Sequence, residues 1–413
     1  GKDVANPFYI NKTAIAFNSN TIKLIEFEAK TGTSDLSIKG NLDNFYGFIF
    51  KGEVLKGNFT LNSNNLKVAD FVSVDENSSK KETENSSLKI PSFLDIKLRA
   101  NAKKVAYDNV NLANVSGDVF IKDESVILKN LKSDVFGGNI AFNGNVSTKG
   151  KAAGFRMDLN LKELKISESF GNLEMLKSIA PIAKTIEGKI NSTITLSGFL
   201  NDDMTPNLKT ISGDLFGKLL NPTLNGSNSK ALTLLENKVD FLSLDKLNLD
   251  GINAFMSFKD GQVNVKPIPL KYKDIAIEIS GSHSFDQSMN YNVVFDVPVK
   301  YLGTEVTNLI TKLTPKDAAN VTSIPVKGTF TGSFGNPSFS SNMKDATSTL
   351  MKDLIEKQKN SLLDKGKDKL KDLIGINSKK KDSTKKGDVT DKIKGVLGGL
   401  FGKKKKDTTK KNN

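Results

Sequence analysis

The chain has 413 residues, enough to bury a sizeable core, yet only 37% are hydrophobic, and its aromatics are 25 Phe and 6 Tyr with no Trp. With no Cys and a single His, thiolate catalysis, disulfides and cysteine-based metal sites are excluded. The net charge of +14 is unevenly placed, because residues 341–413 hold 21 Lys against 10 acidic groups and leave the remainder nearly neutral.

No run of 18 apolar residues and no charged-then-apolar leader occurs. The chain opens on Gly1 and Asn6-Pro7-Phe8-Tyr9-Ile10, which reads as a fragment or processed chain. Residues 1–74 form an N-terminal β segment, with Leu36, Ile38, Leu42, Phe59, Leu61, Leu66 and Val68 between polar turns. Residues 75–88 are expected to be a flexible linker, since Asp75 to Ser87 contains no apolar side chain and can bury nothing.

Over 89–340 the period is two. Leu94, Ile96 and Leu98 alternate with Asp95, Lys97 and Arg99, while Phe155, Met157, Leu159 and Leu161 alternate with Arg156, Asp158, Asn160 and Lys162. Such strands have one dry and one wet face, the mark of antiparallel sheet. Helices are expected at 172–186, broken near Pro181, at 230–244 and at 304–313. The tail, 341–413, changes to three- and four-residue steps (Leu350, Leu354, Ile355, Leu362, Leu363, Leu370, Leu373, Ile374), an amphipathic helix weakened by Gly366. A second short helical stretch, 388–401, runs into Lys403, Lys404, Lys405 and Lys406.

Residues 118–146 recur without a gap at 255–283. Lys122-Asp123-Glu124, Leu128, Leu131, Ile140, Phe142 and Gly144 correspond, at an offset of 137, to Lys259-Asp260-Gly261, Val265, Ile268, Ile277, Ile279 and Gly281. A weaker third copy has Leu24, Phe27, Leu36, Ile38 and Gly40 in the matching places. A repeated β-unit implies a sheet extended by addition, with function spread along one surface.

The Lys122-Asp123 and Lys259-Asp260-Gly261 turns, Phe136-Gly137-Gly138 before Ile140, Leu200 to Pro206 with Thr210-Ile211-Ser212-Gly213, and Ile324-Pro325-Val326-Lys327-Gly328-Thr329-Phe330 with Asn336-Pro337 stand in the order found in one family. Together they resemble the C-terminal region of the AsmA family of bacterial envelope proteins, over roughly residues 1–340. The resemblance implies an inner-membrane anchor helix upstream, absent from this chain, and a periplasmic body. It also implies a long curved β-groove of the bridge-like lipid-transfer kind and a role in outer-membrane biogenesis. The family has no shared catalytic residues, so none is assigned, and neither an enzyme nor a cofactor is expected.

Two explanations of the apolar stripe stay open: a closed sandwich core, or an extended, curved antiparallel sheet forming a hydrophobic groove for phospholipid acyl chains. A dozen methylenes taken into water cost on the order of 10 kcal/mol, so a groove must offer one continuous apolar face. Its expected lining is Phe142, Phe155, Met157, Leu159, Ile194, Leu196, Ile277, Ile279, Val293 and Phe295. The adjacent carboxylates Asp123-Glu124 and Asp202-Asp203 read as turn residues, because neighbours on a strand point to opposite faces. His283 is expected to be a solvated turn histidine. In the tail, Leu397, Leu400 and Phe401 beside Lys403–Lys406 suit docking on an anionic membrane surface, with a solvated helix as the alternative. Nucleic acid is not an expected partner, as the tail lacks Arg and interleaved aromatics. The competing function is a non-enzymatic scaffold for outer-membrane proteins and other envelope partners, acting through exposed strand edges.

Overall fold

The computed structural model describes residues 6–71, 89–202, 204–225 and 229–373. The expected linker at 75–88, Asp203 and the tail residues Leu397, Leu400, Phe401 and Lys403–Lys406 lie outside them. Two compact units divide the chain: Gly1–Val297 with Ile324–Met343, and Pro298–Ser323 with Lys344–Asn413.

In the first unit the period-two segments become strands of one sheet: β1 (Phe8–Phe17), β2 (Thr21–Thr31), β3 (Ser34–Asp43), β4 (Leu55–Ser63), β5 (Leu66–Lys67), β6 (Leu94–Tyr107), β7 (Val110–Lys122), β8 (Ser125–Val135) and β9 (Gly138–Ser147). They continue as β10 (Gly154–Lys165), β11 (Ile186–Phe199), β12 (Ser212–Leu224), β13 (Asn253–Lys259), β14 (Gln262–Tyr272), β15 (Ile275–Ser284), β16 (Met289–Pro298), β17 (Ser323–Ser333) and β18 (Asn336–Ser341). All 18 belong to a single long, open, uncurled sheet. A sandwich needs a second sheet, and the described strands form none. Consecutive strands pair antiparallel, with one exception: β4 and the short β5 pair in parallel with β6.

Turn chemistry explains the hairpins. Asp123 and Glu124 sit at φ 51° and 54°, and their counterparts Asp260 and Gly261 at 49° and 78°, the left-handed pair that closes a two-residue hairpin with the twist strands prefer. The sequence repeat is also a structural one. Pairing slips by one residue between Leu128 and Leu131, between Val265 and Ile268, and between Leu24 and Phe27, so each copy carries the same β-bulge. Gly144, Gly281 and Gly40 face the start of each bulge, and the next strand lays Met157, Tyr291 or Phe59 against them. A Cβ on any of the three glycines would collide with that side chain.

Four helices belong to the same unit: α1 (Phe45–Lys51), α2 (Ile166–Asn172), α3 (Glu174–Ile179) and α4 (Lys230–Lys238). The helix expected at 172–186 begins six residues earlier and breaks at Leu173, whose φ −94° and ψ 111° are extended, well before Pro181. Ile166, Phe170, Leu176 and Ile179 of α2 and α3 are at most 2% exposed and share a core with Leu161, Leu164, Ile190, Ile194 and Leu215 of β10, β11 and β12. Each such side chain contributes roughly 1.5–3 kcal/mol on burial. The second unit contains α5 (Thr304–Ile310), α6 (Pro315–Ala319) and α7 (Met343–Leu373), with Gln358 of α7 donating to the Leu309 carbonyl at 2.6 Å. No described helix is long and apolar enough to cross a membrane.

Candidate functional site

Opposed residues on neighbouring strands point to the same face, so the register can be followed across the sheet. From β2 to β4 it runs Leu24, Gly40, Phe59. Through the parallel pairing it passes to Leu98, Val119, Leu128, Gly144 and Met157. It then reaches Leu196, Gly213, Phe258 and Val263. One apolar or glycine position per strand, the short β5 excepted, thus forms an unbroken row from β2 to β14. A second row, Leu131, Phe142, Leu159, Ile194, Leu215, Met256 and Val265, lies beside it.

Cover differs along this face. Leu24, Phe59, Leu98, Val119, Leu128 and Met157 are half-buried, whereas Leu196, Phe258 and Val263 are buried. The change comes where α2, α3 and α4, inserted between strands, join the apolar side. There they enclose a cavity of about 250 Å³. Ile166, Phe170, Ile179, Ala231, Leu232 and Leu235 line it from the helices, and Ile190, Leu215, Met256, Ile268, Val293 and Phe330 from the strands. Among the lining residues, His283 and Tyr291 alone bring ionisable groups.

Those two groups satisfy each other and α3. A carbonyl can only accept, so His283 Nε2 carries the proton and donates to Ser178 O at 3.0 Å. Nδ1 then accepts from the Tyr291 hydroxyl at 2.8 Å. Phe334 closes the cluster, edge-on to the imidazole at 5.5 Å between ring centroids. Burial pushes the His283 pKa below its ordinary value, the Ser178 and Ile179 backbone opposing it, and burial pushes the Tyr291 hydroxyl up. The expectation of a solvated turn histidine is therefore corrected: His283 is 2% exposed, because β15 continues through it and α3 lies over it. The cavity offers hydrocarbon contact and no unsatisfied polar group, as every buried side-chain N or O among the described residues has a partner.

All ten expected lining residues fall on the face defined by these rows. Ile279 and Val293 line the cavity. Phe155, Ile194 and Leu196 are buried in the core shared with α2 and α3, with Met157 and Leu159 packed against it. Ile277 and Phe295 are buried, the latter edge-on to Phe241 at 5.9 Å, and Phe142 is half-buried. Sequence reasoning missed the helical wall and the His283–Tyr291 pair. Leu176, Ile179 and Ile182, and the Leu-rich stretch 231–235, signalled helices, but nothing in them gives the strand they cover. Asp123 and Glu124 stand at a hairpin tip, as expected of turn carboxylates. Among the described residues no group of three His, Asp or Glu side chains could hold a metal ion.

No family model, curated protein or solved structure matches the chain. The protein is defined by its architecture: a single repeated sheet with a continuous apolar face, roofed by short helices over part of its width.

Proposed function

We propose that this chain is a non-enzymatic, AsmA-like periplasmic protein that binds or conducts phospholipids by their acyl chains along the apolar face, in support of outer-membrane biogenesis. The observation that carries this reading is the cavity, whose lining is hydrocarbon apart from two polar groups already bonded to each other and to α3. A head group finds no free donor there, so it stays outside while the chain enters. The uninterrupted rows leading from β2 to β14 supply the path, and sliding needs no polar anchor. The basic tail with Leu397, Leu400, Phe401 and Lys403–Lys406 adds attraction to anionic lipid at ~1 kcal/mol per lysine near the surface.

The test is mass spectrometry of lipid carried by the purified protein, together with transfer of labelled phospholipid between vesicles. Leu232→Asp and Met256→Lys place charge on half-buried lining positions and are expected to abolish both while strand content by circular dichroism stays unchanged. Ala254→Phe fills the same space without charge and is expected to lower bound lipid. Monodisperse protein without lipid or transfer favours the scaffold reading instead. One observation supports that rival: among the described strands β1 is paired only with β2, and nine of its ten residues are exposed, a strand suited to further strand addition.

A further inference from the structure

One rim of the sheet gathers exposed rings, with Tyr46 against Phe50 at 4.8 Å and Phe93 against Phe48 at 5.1 Å between centroids. The β1–β2 turn, α1 and the start of β6 meet there: Phe45 N donates to Asn20 O at 3.3 Å, and Leu55 N to Phe93 O at 2.8 Å. Phe17 is 82% exposed, Phe50 69%, Tyr46 54%, Ile49 51% and Phe93 43%. At roughly 200 Å² per ring, the four aromatics present on the order of 500 Å², at the upper end for a surface patch.

The helix that carries most of them is inverted relative to a packing helix. Only Gly47 of α1 is buried, while Tyr46, Ile49 and Phe50 face outward. Its ends are fixed by Asn44 and Gly52 at φ 62° and 65°, and Asn44 Nδ2 donates to Glu53 Oε2 and Val54 O, both at 3.1 Å. The rings are therefore held out by a braced turn. Two half-buried phenylalanines elsewhere on the sheet carry a lysine over the ring, Lys266 on Phe255 at 4.0 Å and Lys129 on Phe120 at 5.2 Å. No described lysine stacks on Tyr46 or Phe50, and the residues next to the rings in sequence are polar: Asn18 and Asn20 in the β1–β2 turn, Asn44 before α1 and Lys51 at its end.

We propose that this rim inserts into the interface of a lipid bilayer. A protruding helix of seven residues offers a protein partner no groove and little matching surface. A fluid interface asks only for amphipathic rings at the tip and hydrogen-bonding groups one step behind, with lysine reaching back to the head groups. Ile15 and Phe17 continue from the rim onto the same apolar face as Leu24 and Ile22, so a bilayer held here meets the uncovered half of that face. The membrane contact does not depend on the acyl-chain cavity.

The chain has no Trp, so Phe50→Trp in the full chain provides a single reporter. Uncharged phosphatidylcholine vesicles at about 0.5 M salt suppress attraction through the basic tail. The expected result is a blue-shifted emission that brominated phosphatidylcholine quenches. Ile49→Asp with Phe50→Asp should reduce sedimentation with such vesicles by at least about tenfold. Tyr46→Ser with Phe50→Ser serves should the acidic pair impair folding. An emission spectrum unchanged by vesicles overturns the proposal. So does a blue shift that appears without lipid and grows with protein concentration, which makes the rim a protein interface. Lipid-carrying protein without quenching refutes the rim contact alone; quenching in protein that never carries lipid refutes the cavity reading alone.

Discussion

Two buried polar residues contribute to how the first unit responds to acid. His283 keeps its ring neutral by burial, so the folded chain binds fewer protons there than the unfolded chain, whose imidazole titrates near 6.5. Its stabilising contribution is complete above that pH and is lost as pH falls through the lower folded value. His283→Gln should flatten the decline of melting temperature between about pH 7 and pH 5 relative to the parent chain. Equal slopes would mean the imidazole titrates as if exposed. Asp70 works in a lower window. Burial alone would raise its carboxyl, but donors from Ser34 at 2.8 Å and from Thr33 N–H at 2.9 Å hold it below 3.8. Its contribution is therefore present above 3.8 and disappears only as pH falls through the folded value. Asp70→Ala leaves those donors unpaired and is expected to cost about 2 kcal/mol in urea unfolding.

At the scale of the element, the repeat invites a paired experiment. Gly261 occupies a left-handed position at no steric cost, while Glu124 adopts the same conformation in the other copy against the preference of an L side chain. Glu124→Gly should stabilise by about 1 kcal/mol and Gly261→Ala destabilise by a similar amount, read by thermal unfolding. Opposite signs at two aligned positions would show that the copies share a backbone and differ in how well each is furnished. Strand content, both hairpin turns and the shared glycine were legible in the sequence because alternation and turn residues are local signals. Helix α1 was not. Its run Phe45 to Phe50 is apolar throughout, so neither period stands out, and only Asn44 and Gly52 bracket it. The cavity was half legible: Ile279 and Val293 could be named from the strand side. The helical wall depends on where the segments 166–183 and 229–252 fold back, which no short-range pattern encodes.

For the first unit as a whole, consecutive strands pair with their neighbours, so most contacts are local along the sheet. Stability in such an array approaches a sum over adjacent strands, and unfolding need not be a single step. The strands beneath α2–α4 share a buried core that β1–β4 lack, since their apolar residues are largely half-buried or exposed. Hydrogen exchange should therefore show lower protection in β1–β4 than in β11–β15, with the N-terminal strands opening at milder denaturant. Uniform protection would contradict an additive sheet.

The same-sense pairing of β4 with β6 has a geometric result for the duplicated modules. Five strand steps separate β2 from β8, an odd number that would turn the second module upside down in a strictly alternating meander. The single same-sense step cancels that inversion, and the six alternating steps from β8 to β14 preserve what it restores. All three bulge-bearing hairpins consequently project from one border and the aromatic helix from the opposite one, which gives the sheet a head and a foot and sets successive modules the same way up.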